Sequence, residues 1–559
     1  MSAENATMPR LPSLATCLTL ASILAACGSE GAAANAPPGT VPGVEPSPDG
    51  GGPQSDGGVT PPVVAHLEVQ IGSTSVAVRR GGSAKLPVTV ARTGVTGPLQ
   101  LEVRGLPAGL TAPPVTIASG ENSAALAFAA TPAAALGKTA LTLRATGQGL
   151  VIDTPIDATV FDGEQLDPTF GTKGIAVFSS TTRPFSGRSL AVLSDSKAVV
   201  GMSFDDYAGT PDPTAAGFVR FDASGVIDSA FGTAGQLIPT AASLGGYEQT
   251  LMSSVIANSA GGFVGIITAQ FKENAGKTKG DVLLLAYQTN GTPDPAFGTA
   301  GVVKIDLGDE DSDPRLTRDT SGRWVAVTSV ETPTGRDAVI SRYLATGQLD
   351  ATFGSAGRLR TTFGGEKPFG FEVRAFGDAL VVTGSRFQTG TNSVHGFVAR
   401  ITPAGALDPT YGDAGSGVHD QTYQVLHLDV GTDGRAYLEN SGTLYRLLPN
   451  GQPDPAYAPD GKMPQDGSFL YGVPLAAASG RVYRFRGATG QPRVELRAYG
   501  NNGVLDTAFG TAGKIVVQPS DANAYPEPQA IGYTPDGRAV GLASRLGAHG
   551  FITLARFLL

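Results

Sequence analysis

The sequence predicts an all-β protein in which a small sandwich domain precedes a large ring of repeated sheets, a β-propeller. A nine-residue phrase that begins as "LDPTFGTKG" at Leu166 recurs six more times before the chain ends. The 559 residues include 76 glycines and 40 prolines but only 16% charged residues, which is typical of short strands and many turns. Apolar residues also alternate in short runs between these turn-forming residues, with the period of a β-strand.

The net charge argues against one class of partner, and the positions of the cysteines exclude two kinds of cysteine site. The net charge is −9 and no basic stripe stands out, so the sequence predicts no nucleic-acid partner. The two cysteines, Cys17 and Cys27, both lie within the first thirty residues. The predicted folded regions therefore have no disulfide bond and no thiolate metal site.

Residues 1–27 have the pattern of a lipoprotein signal peptide. Arg10 precedes an apolar run from Leu14 to Ala26, which is too short for a stable membrane-spanning helix. The run ends in "LAAC", which resembles the bacterial lipobox, and the resemblance implies that Cys27 becomes a lipidated N-terminus that anchors the chain to a membrane. Gly28 is not the aspartate of the enteric sorting rule, which favours the outer membrane. The alternative is an ordinary secretory signal with a chance cysteine.

Residues 28–62 are expected to form a disordered spacer. They consist mainly of Gly, Ala, Pro and Ser and contain almost no large apolar side chains. Such a segment buries too little apolar surface to offset the conformational entropy that is lost on folding. We expect it to hold the folded domains away from the membrane.

Residues 63–162 predict an immunoglobulin-like β-sandwich. About seven short runs alternate apolar and polar residues, such as "HLEVQIG", "LQLEVRGL" and "KTALTLRAT". The stretch "GLPAGLTAPPVTIASGENSAALAF" also resembles the middle of bacterial immunoglobulin-like surface domains, although the Cys…Trp…Cys hallmark is missing. The domain is interpreted as a rigid stalk, and a ligand-binding module is the alternative.

Residues 163–559 carry the seven phrases at intervals of 46 to 66 residues, a period that suits a propeller blade. Each phrase is followed by a strand, an apolar hairpin and a last strand, which predicts seven four-stranded blades. The phrase residues, taken as a structural motif, are Asp167, Phe170 and Gly171; Asp228, Phe231 and Gly232; Asp294, Phe297 and Gly298; Asp350, Phe353 and Gly354; Asp408, Tyr411 and Gly412; Asp454 and Tyr457; and Asp506, Phe509 and Gly510.

Each phrase residue has an expected structural role. The aspartate is expected to accept backbone hydrogen bonds in an Asx-type turn, and the aromatic ring to pack between adjacent blades. The glycines permit positive φ, so the chain is expected to turn sharply into the next inner strand. In the sixth copy Ala458 replaces the first glycine, which predicts a distorted turn. A ring of seven carboxylates that binds cations along the channel is the alternative role for the aspartates.

The D-x-x-F-G-x-x-G phrase at this period resembles the delta-60 repeat of large secreted proteins from myxobacteria and similar bacteria. The resemblance covers residues 166–559 and implies a β-propeller, and it brings no established activity and no catalytic residues. The chain ends in "GFITLARFLL" without a phrase, so the first phrase is expected to complete the last blade and close the ring. Eight blades are the alternative, if "IDATVFDGEQ" completes a partial blade.

No catalytic constellation is recognisable. The chain has no G-x-S-x-G, H-E-x-x-H or P-loop motif, and the S-x-x-K match at Ser194 lies at a predicted hairpin turn without partner motifs. The acidic run "GDEDSDP" is a candidate Ca²⁺ site, with a solvated loop as the alternative, and no other cofactor is predicted. Its acidic residues are Asp309, Glu310, Asp311 and Asp313. The five histidines show no metal-ligand spacing: His66, His395, His419, His427 and His549.

These features predict a cell-envelope lipoprotein whose propeller is a binding or scaffolding platform for a protein or glycan partner. The prediction favours a non-enzyme. The rivals are a propeller enzyme with its site at the channel mouth and a purely structural surface or adhesion component. An enzyme would need His, Asp, Glu or Arg clustered on the inner strands, and the sequence shows no recurring set. Carboxylates, aromatic rings or histidines in the channel would favour sugar binding or catalysis, and an Ala, Val and Thr lining would favour the structural role.

Overall fold

In the part of the chain that the structure describes, β-strands dominate, and the remaining regular elements are two 3₁₀ helices at Ala241–Leu244 and Asp413–Gly415. The fold was analysed in a computed structural model that describes residues 65–71, 74–161, 165–180, 183–204, 215–271, 279–308, 311–333, 335–391, 393–440, 442–457, 460–463, 472–477, 480–487, 492–518, 526–545 and 550–559. The predicted leader, which includes Cys27, and the predicted spacer lie outside these residues. Within the described ranges, no helix has both the length and the apolar character needed to cross a membrane.

Two sheets form a sandwich over residues 65–161. One sheet contains, in spatial order, β1 (His66–Ile71), β3 (Ser83–Thr93), β7 (Ser123–Ala130) and β5 (Leu110–Thr111). The other contains β2 (Ser75–Arg79), β9 (Leu150–Phe161), β8 (Gly137–Gly147), β4 (Leu99–Arg104) and β6 (Val115–Ile117). Alternate side chains of both sheets meet in one core that includes Leu86, Leu99, Phe128 and Leu143. The nine strands exceed the expected seven partly because β5 and β6 are short pieces of two and three residues.

Seven further sheets follow in chain order. The first three are β12 (Phe185–Val192), β13 (Ala198–Phe204), β14 (Ala215–Phe221) and β15 (Gln236–Leu237); β16 (Gln249–Ala257), β17 (Phe263–Phe271), β18 (Lys279–Tyr287) and β19 (Val302–Ile305); and β20 (Asp311–Arg318), β21 (Trp324–Thr332), β22 (Gly335–Tyr343) and β23 (Arg358–Thr361). The fourth and fifth are β24 (Glu366–Phe376), β25 (Ala379–Phe387), β26 (Val394–Ile401) and β27 (Val418–Gln421); and β28 (His427–Val430), β29 (Ala436–Asn440) and β30 (Thr443–Leu447). The sixth is β31 (Gly472–Ala476), β32 (Val482–Gly487), β33 (Val494–Tyr499) and β34 (Lys514–Val517). The seventh is β35 (Glu527–Tyr533), β36 (Ala539–Arg545) and β37 (Gly550–Leu558) with β10 (Gln165–Leu166) and β11 (Ile175–Ser180).

The first strands of these sheets contact one another in a closed cycle. The order of contacts is β12, β16, β20, β24, β28, β31 and β35, and β35 contacts β12 again. Each sheet is an antiparallel meander that runs outward from its first strand, which is the arrangement of a β-propeller. In the fifth sheet, which follows the phrase of Asp408, a bridge between Tyr445 and Lys462 stands where the other sheets have a fourth strand.

The two ends of the propeller region share one sheet. Strands β10 and β11 both pair antiparallel with β37, so that Ile175 lies opposite Ala555. The first phrase lies between β10 and β11, and Ile156 to Phe161 of the possible eighth blade belong to β9 of the sandwich. Strands β10 and β11 therefore cover the outer edge of β37 and become the outermost part of this sheet.

The strand that follows each phrase differs from the expectation. Strand β15 follows the phrase of Asp228 and pairs with β14, the third strand of its own sheet. The same holds for β19, β23, β27 and β34. The phrase therefore turns the chain into the outermost strand of the same sheet, and the expected turn into the next inner strand was wrong. The reason is that positive φ at Gly232 (54°) folds the chain back along β14.

All seven phrases begin with the same Asx-type turn, while Ala458 of the sixth copy lies outside the described residues. In each, Oδ1 of the aspartate accepts a hydrogen bond from the backbone N–H two residues later, at 2.9–3.3 Å. All seven aromatic side chains are buried. The ring of Phe170 packs against Gly225 in a turn of the next sheet, where an added Cβ would come within 2.9 Å of the ring. The phrase thus joins neighbouring sheets, because its aromatic ring fills the space left by a glycine of the next one.

Five phrases share a further partner, an arginine on the third strand of the same sheet. Its Nε lies 2.7–3.0 Å from Oδ2 of the phrase aspartate, and its guanidinium lies 4.3–5.0 Å from the centroid of the phrase aromatic ring. The pairs are Arg220 with Asp228, Arg342 with Asp350, Arg400 with Asp408, Arg446 with Asp454 and, across the chain termini, Arg556 with Asp167. The sequence analysis overlooked this arginine, although in four units it stands eight residues before the aspartate.

Candidate binding site in the central cavity

The first strands of all seven sheets enclose a cavity of about 460 Å³. Its wall includes residues 188–190, 251–256, 313–317, Glu372, Arg374, His427, Val473 and 529–531. The lining combines carboxylates, a histidine and three arginines with Ser, Thr and Gln. No aromatic side chain is among the described residues that line it. The wall therefore combines charged and polar groups with apolar residues such as Leu190 and Ile531, in contrast to the Ala, Val and Thr lining expected of a purely structural channel.

Irregular first strands direct polar residues into this cavity. In β12, β16, β20 and β35 the register with the second strand shifts by one residue. The side chains at these shifts line the cavity: Arg188, Ser253, Asp313 and Gln529. β-Bulges of this kind redirect a side chain and are frequent next to functional sites. Asp313 also has a left-handed backbone, with φ of 49°.

A chain of ion pairs beside the cavity links the third, fourth and fifth sheets, and one hydrogen bond continues it to the sixth. Nε of Arg315 lies 3.3 Å from Oε1 of Glu372, and Nη1 of Arg374 lies 3.2 Å from Oε2 of the same carboxylate. Nε of Arg374 lies 3.6 Å from Oδ1 of Asp429, whose Oδ2 accepts a hydrogen bond of 2.7 Å from the backbone N–H of Ala476. Four successive first strands are therefore linked through side chains that are only partly exposed.

The charges of this chain shift the pKa values of its titratable groups. Burial alone would raise the pKa of Glu372, but the guanidiniums of Arg315 and Arg374 hold it below its usual range. Burial raises the pKa of Asp429 despite the opposing effect of Arg374. Burial lowers the pKa of His427, and the nearby arginines lower it further against the attraction of Glu372. The wall thus presents an ionised Glu372 and an imidazole that is uncharged at neutral pH, and Asp429, which contacts Arg374 but is not among the lining residues, has a raised pKa.

Of the sequence-predicted candidates that the structure describes, only His427 and Asp313 line the cavity. His427 reaches the cavity, whereas Nδ1 of His419 lies 2.8 Å from Oδ1 of Asp413 on the outer part of the fourth sheet. His66 is exposed on β1 and His395 lies on β26, while His549 lies outside the described residues. Ser194 and Lys197 lie in the hairpin between β12 and β13, where Lys197 Nζ is 3.3 Å from Asp195.

The acidic run is divided between two places. Asp313 lines the central cavity and lies 3.6 Å from Nη1 of Arg336. Asp311 is fully buried in a separate cluster with Asp281 and Asp306. Burial, reinforced by these two carboxylates and opposed by the N–H of Leu307, raises the pKa of Asp311 to about 7. Asp309 and Glu310 lie outside the described residues.

The cavity cluster was missed because the sequence analysis followed only the apolar half of each alternating strand. In "FEVRAF", Glu372 and Arg374 are two residues apart, and in "LHLDV" the same spacing separates His427 and Asp429. Side chains two residues apart lie on the same face of a strand. Charged residues at this spacing in the first strand of a hairpin were the available signal.

Comparison with known proteins gives only remote matches. No protein-family model and no curated protein sequence matches the chain. Among solved structures, a levansucrase of B. megaterium is 10% identical, with a TM-score of 0.31, and the match covers 67% of this chain and 89% of that one. A B. subtilis levansucrase (11% identity, TM-score 0.29) covers 63% and 87%, and an endo-1,4-beta-xylanase from Bacteroides thetaiotaomicron (12% identity, TM-score 0.23) covers 62% and 96%. At these TM-scores the similarity supports no statement about activity.

Proposed function

We propose that this protein is a cell-envelope lipoprotein whose seven-bladed propeller of delta-60 type repeats binds a glycan or protein partner through its central cavity. The immunoglobulin-like sandwich acts as a stalk, and Cys27 carries the lipid anchor. The proposal depends on one observation above all, the chain of partly buried charges that runs from Arg315 through Glu372 and Arg374 to Asp429. A purely structural channel has no need of such a chain, because burying ion pairs seldom adds net stability.

The chemistry of the wall favours a polyhydroxylated ligand with acidic groups. Guanidiniums donate hydrogen bonds in a planar fork that matches carboxylates, and a carboxylate such as Glu372 accepts from hydroxyl groups. The lining arginines Arg188, Arg315 and Arg374 outnumber the lining carboxylates Asp313 and Glu372. An acidic glycan therefore fits the cavity better than a neutral apolar compound. Since no aromatic ring is among the described residues of the lining, polar contacts supply most of the specificity.

Replacing Arg374 with alanine is expected to weaken glycan binding at least tenfold. Arg374 lines the cavity and contacts both Glu372 and Asp429, so its loss removes a donor, leaves Glu372 paired with Arg315 alone and leaves Asp429 without its arginine. Loss of one hydrogen bond to a charged group costs about 1.5–3 kcal/mol, which is a factor of ten or more in affinity. The measurement is screening of the full chain on a glycan array, followed by titration calorimetry with the best acidic and neutral ligands.

Arg360→Ala is the matched control for this experiment. Arg360 also forms an ion pair with an aspartate, Asp337, but its side chain is 53% exposed and lies outside the central cavity. The control is expected to bind like the wild-type protein. Equal affinities of the wild-type and Arg374→Ala proteins would place the binding site elsewhere, and a full array without any hit would contradict a glycan ligand.

The enzyme alternative is favoured by a single observation. Glu372 and Asp429 both contact Arg374, and their pKa values are displaced in opposite directions, which is how environments assign base and acid roles to two carboxyl groups. The same titration samples decide between binding and catalysis if they are analysed for cleavage products after prolonged incubation. Turnover of a bound glycan would make the protein an enzyme, and intact ligand would leave it a binding protein.

Replacing Cys27 with serine is expected to move the protein from the membrane fraction to the soluble fraction. Three acyl chains on one cysteine suffice for lasting attachment, and serine cannot form the thioether. The matched control is Cys17→Ser, which removes the other cysteine and leaves the lipobox intact. The measurement is fractionation of cells that express each variant. Membrane retention of the Cys27→Ser protein would contradict the anchor.

A further inference from the structure

A second polar cluster lies where the second propeller sheet passes into the third. Asp281 is on β18, Asp306 directly follows β19, and Asp311 begins β20. Each offers a carboxylate oxygen, and these three oxygens lie within 4.8 Å of one another. Asp281 is 8% exposed and Asp311 is 0% exposed, whereas Asp306 faces solvent. The cluster is therefore open at one side and buried at its base.

The buried carboxylate at the base is only partly satisfied. Oδ2 of Asp311 accepts a hydrogen bond of 3.1 Å from the backbone N–H of Leu307. Oδ1 of Asp311 is buried and, among the described residues, has no hydrogen-bond partner. A buried carboxylate oxygen without a partner is costly, and such groups in proteins pair with cations or coordinate metals. This oxygen is therefore available to a cation that enters the cluster.

One lysine already faces the cluster but does not balance it. Nζ of Lys304 lies 3.1 Å from Oδ2 of Asp281 and 3.1 Å from Oδ2 of Asp306. The structure gives no corresponding contact to Asp311. Three carboxylates against one ammonium leave a net negative charge at the base of the site. The lysine side chain is 47% exposed, so it has room to move into solvent when another cation enters.

We propose that Asp281, Asp306 and Asp311 form a Ca²⁺ site, with Lys304 as an internal competitor for the metal. The ligand set contains only oxygen donors, as a hard cation requires, and no nitrogen or sulfur ligand that would select zinc. Ca²⁺ accepts irregular sets of six to eight oxygens that include water and backbone carbonyls, whereas Mg²⁺ demands nearly ideal octahedral geometry. The hydroxyl of Tyr247, which donates to Asp281, is a further oxygen at the site.

The cation would fix the connection between two propeller sheets. Asp306 and Asp311 lie at the two ends of this connection, and Asp281 belongs to the sheet that the chain has just left. Asp313, which lines the central cavity, is only two residues beyond Asp311. Because Lys304 competes, the affinity is expected to be that of extracellular modules, with a dissociation constant of about 10⁻⁴–10⁻³ M. This inference does not depend on the identity of the cavity ligand.

The test uses the full chain, stripped of metal with a chelator and then titrated with CaCl₂. Ca²⁺ at 10 mM is expected to raise the melting temperature of the wild-type protein by about 2–4 °C. Asp311→Asn is expected to abolish this rise, and Lys304→Met to produce it at lower Ca²⁺ concentration. Asp337→Asn removes a carboxylate elsewhere in the sheet that contains Asp311. This variant is the matched control and is expected to respond like the wild type.

A second readout does not depend on melting. Tb³⁺ replaces Ca²⁺ at oxygen sites, and its emission is sensitised by a nearby phenol, here that of Tyr247. Sensitised emission that Ca²⁺ displaces is expected from the wild type and from Lys304→Met, and its loss is expected from Asp311→Asn. An unchanged melting temperature together with absent emission in the wild type would overturn the proposal. Equal responses of the wild-type and Asp311→Asn proteins would also overturn it.

Discussion

Replacing Asp167 with alanine is expected to lower the free energy of unfolding by about 3–5 kcal/mol, the typical cost of breaking a buried ion pair. Asp167 is fully buried, and its Oδ2 lies 2.7 Å from Nε of Arg556 and 2.5 Å from Nη1 of Arg538. The substitution leaves the buried guanidinium of Arg556 without its paired carboxylate, whereas Arg538 keeps its ion pair with Asp536. It does so in the sheet that joins the two ends of the propeller region, so the loss affects closure of the ring. Urea-induced unfolding measures the effect.

Asp294→Ala is the matched control, because the same phrase there lacks the arginine. The corresponding position on the third strand is Ala286, and the side chain of Asp294 accepts a hydrogen bond of 3.0 Å from the N–H of Ala296. The expected loss is about 0.5–1.5 kcal/mol, the contribution of one ordinary hydrogen bond. If both variants lose the same stability, the arginine contact does not strengthen the closing sheet.

The Asp167 pair also predicts a pH dependence. Burial alone would raise the pKa of Asp167, but Arg556 and Arg538 hold it below its usual value. Its contribution to stability is therefore present above the unfolded pKa of about 3.9 and is lost as the pH falls through the lower folded value. The wild-type protein is expected to lose this contribution in acid, and the difference between it and Asp167→Ala is expected to shrink there.

Replacing Arg484 with methionine is expected to destabilise the protein by about 3–5 kcal/mol at pH 8 and by much less at pH 5. Arg484 on β32 forms an ion pair with Glu439 on β29, and both side chains are 0% exposed between the fifth and sixth sheets. Without the arginine an ionised Glu439 would remain in the core without its counter-charge. Unfolding in urea at both pH values measures the effect.

The sign of this dependence follows from Glu439. Burial raises the pKa of Glu439 to about 7 even though Arg484 opposes the shift. A carboxyl group with a raised folded pKa stabilises the fold fully below its unfolded pKa of about 4.3, and the contribution is lost as the pH rises through 7. Loss of Arg484 strengthens this dependence, because only the protonated form of Glu439 then leaves no uncompensated charge at this position.

The double variant Arg484→Met/Glu439→Leu separates charge from packing. Replacing both members of a buried ion pair with apolar residues is often neutral or stabilising, so the double variant is expected to recover most of the lost stability and to lose the pH dependence. A double variant as unstable as Arg484→Met at pH 8 would show that the arginine acts by packing. Packing around Arg484 is close, because a Cβ added at Gly472 would come within 2.7 Å of Arg484 Nε.

The repeat units were predictable from sequence because their signals are local. An aspartate that caps its own turn, an aromatic residue three positions later and a glycine with positive φ are all within one phrase. The arginine that joins five of these phrases is eight residues away on a strand, or in the case of Arg556 at the opposite end of the chain. Its regular spacing was visible, but its role depends on the pairing of two strands.

The sequence by itself determined the β class, the repeated units and the expectation that the first phrase completes the last sheet, while the leader and the spacer stay predictions. These depend on composition, on the period of apolar residues and on repetition, which are properties of neighbouring residues. Only the tertiary structure decided which charged side chains share a cavity and that Asp311 lies beside Asp281 and Asp306 but apart from Asp313. The reason is physical: strand direction and register bring together residues more than a hundred positions apart, and a single β-bulge changes which face of the strand a side chain occupies.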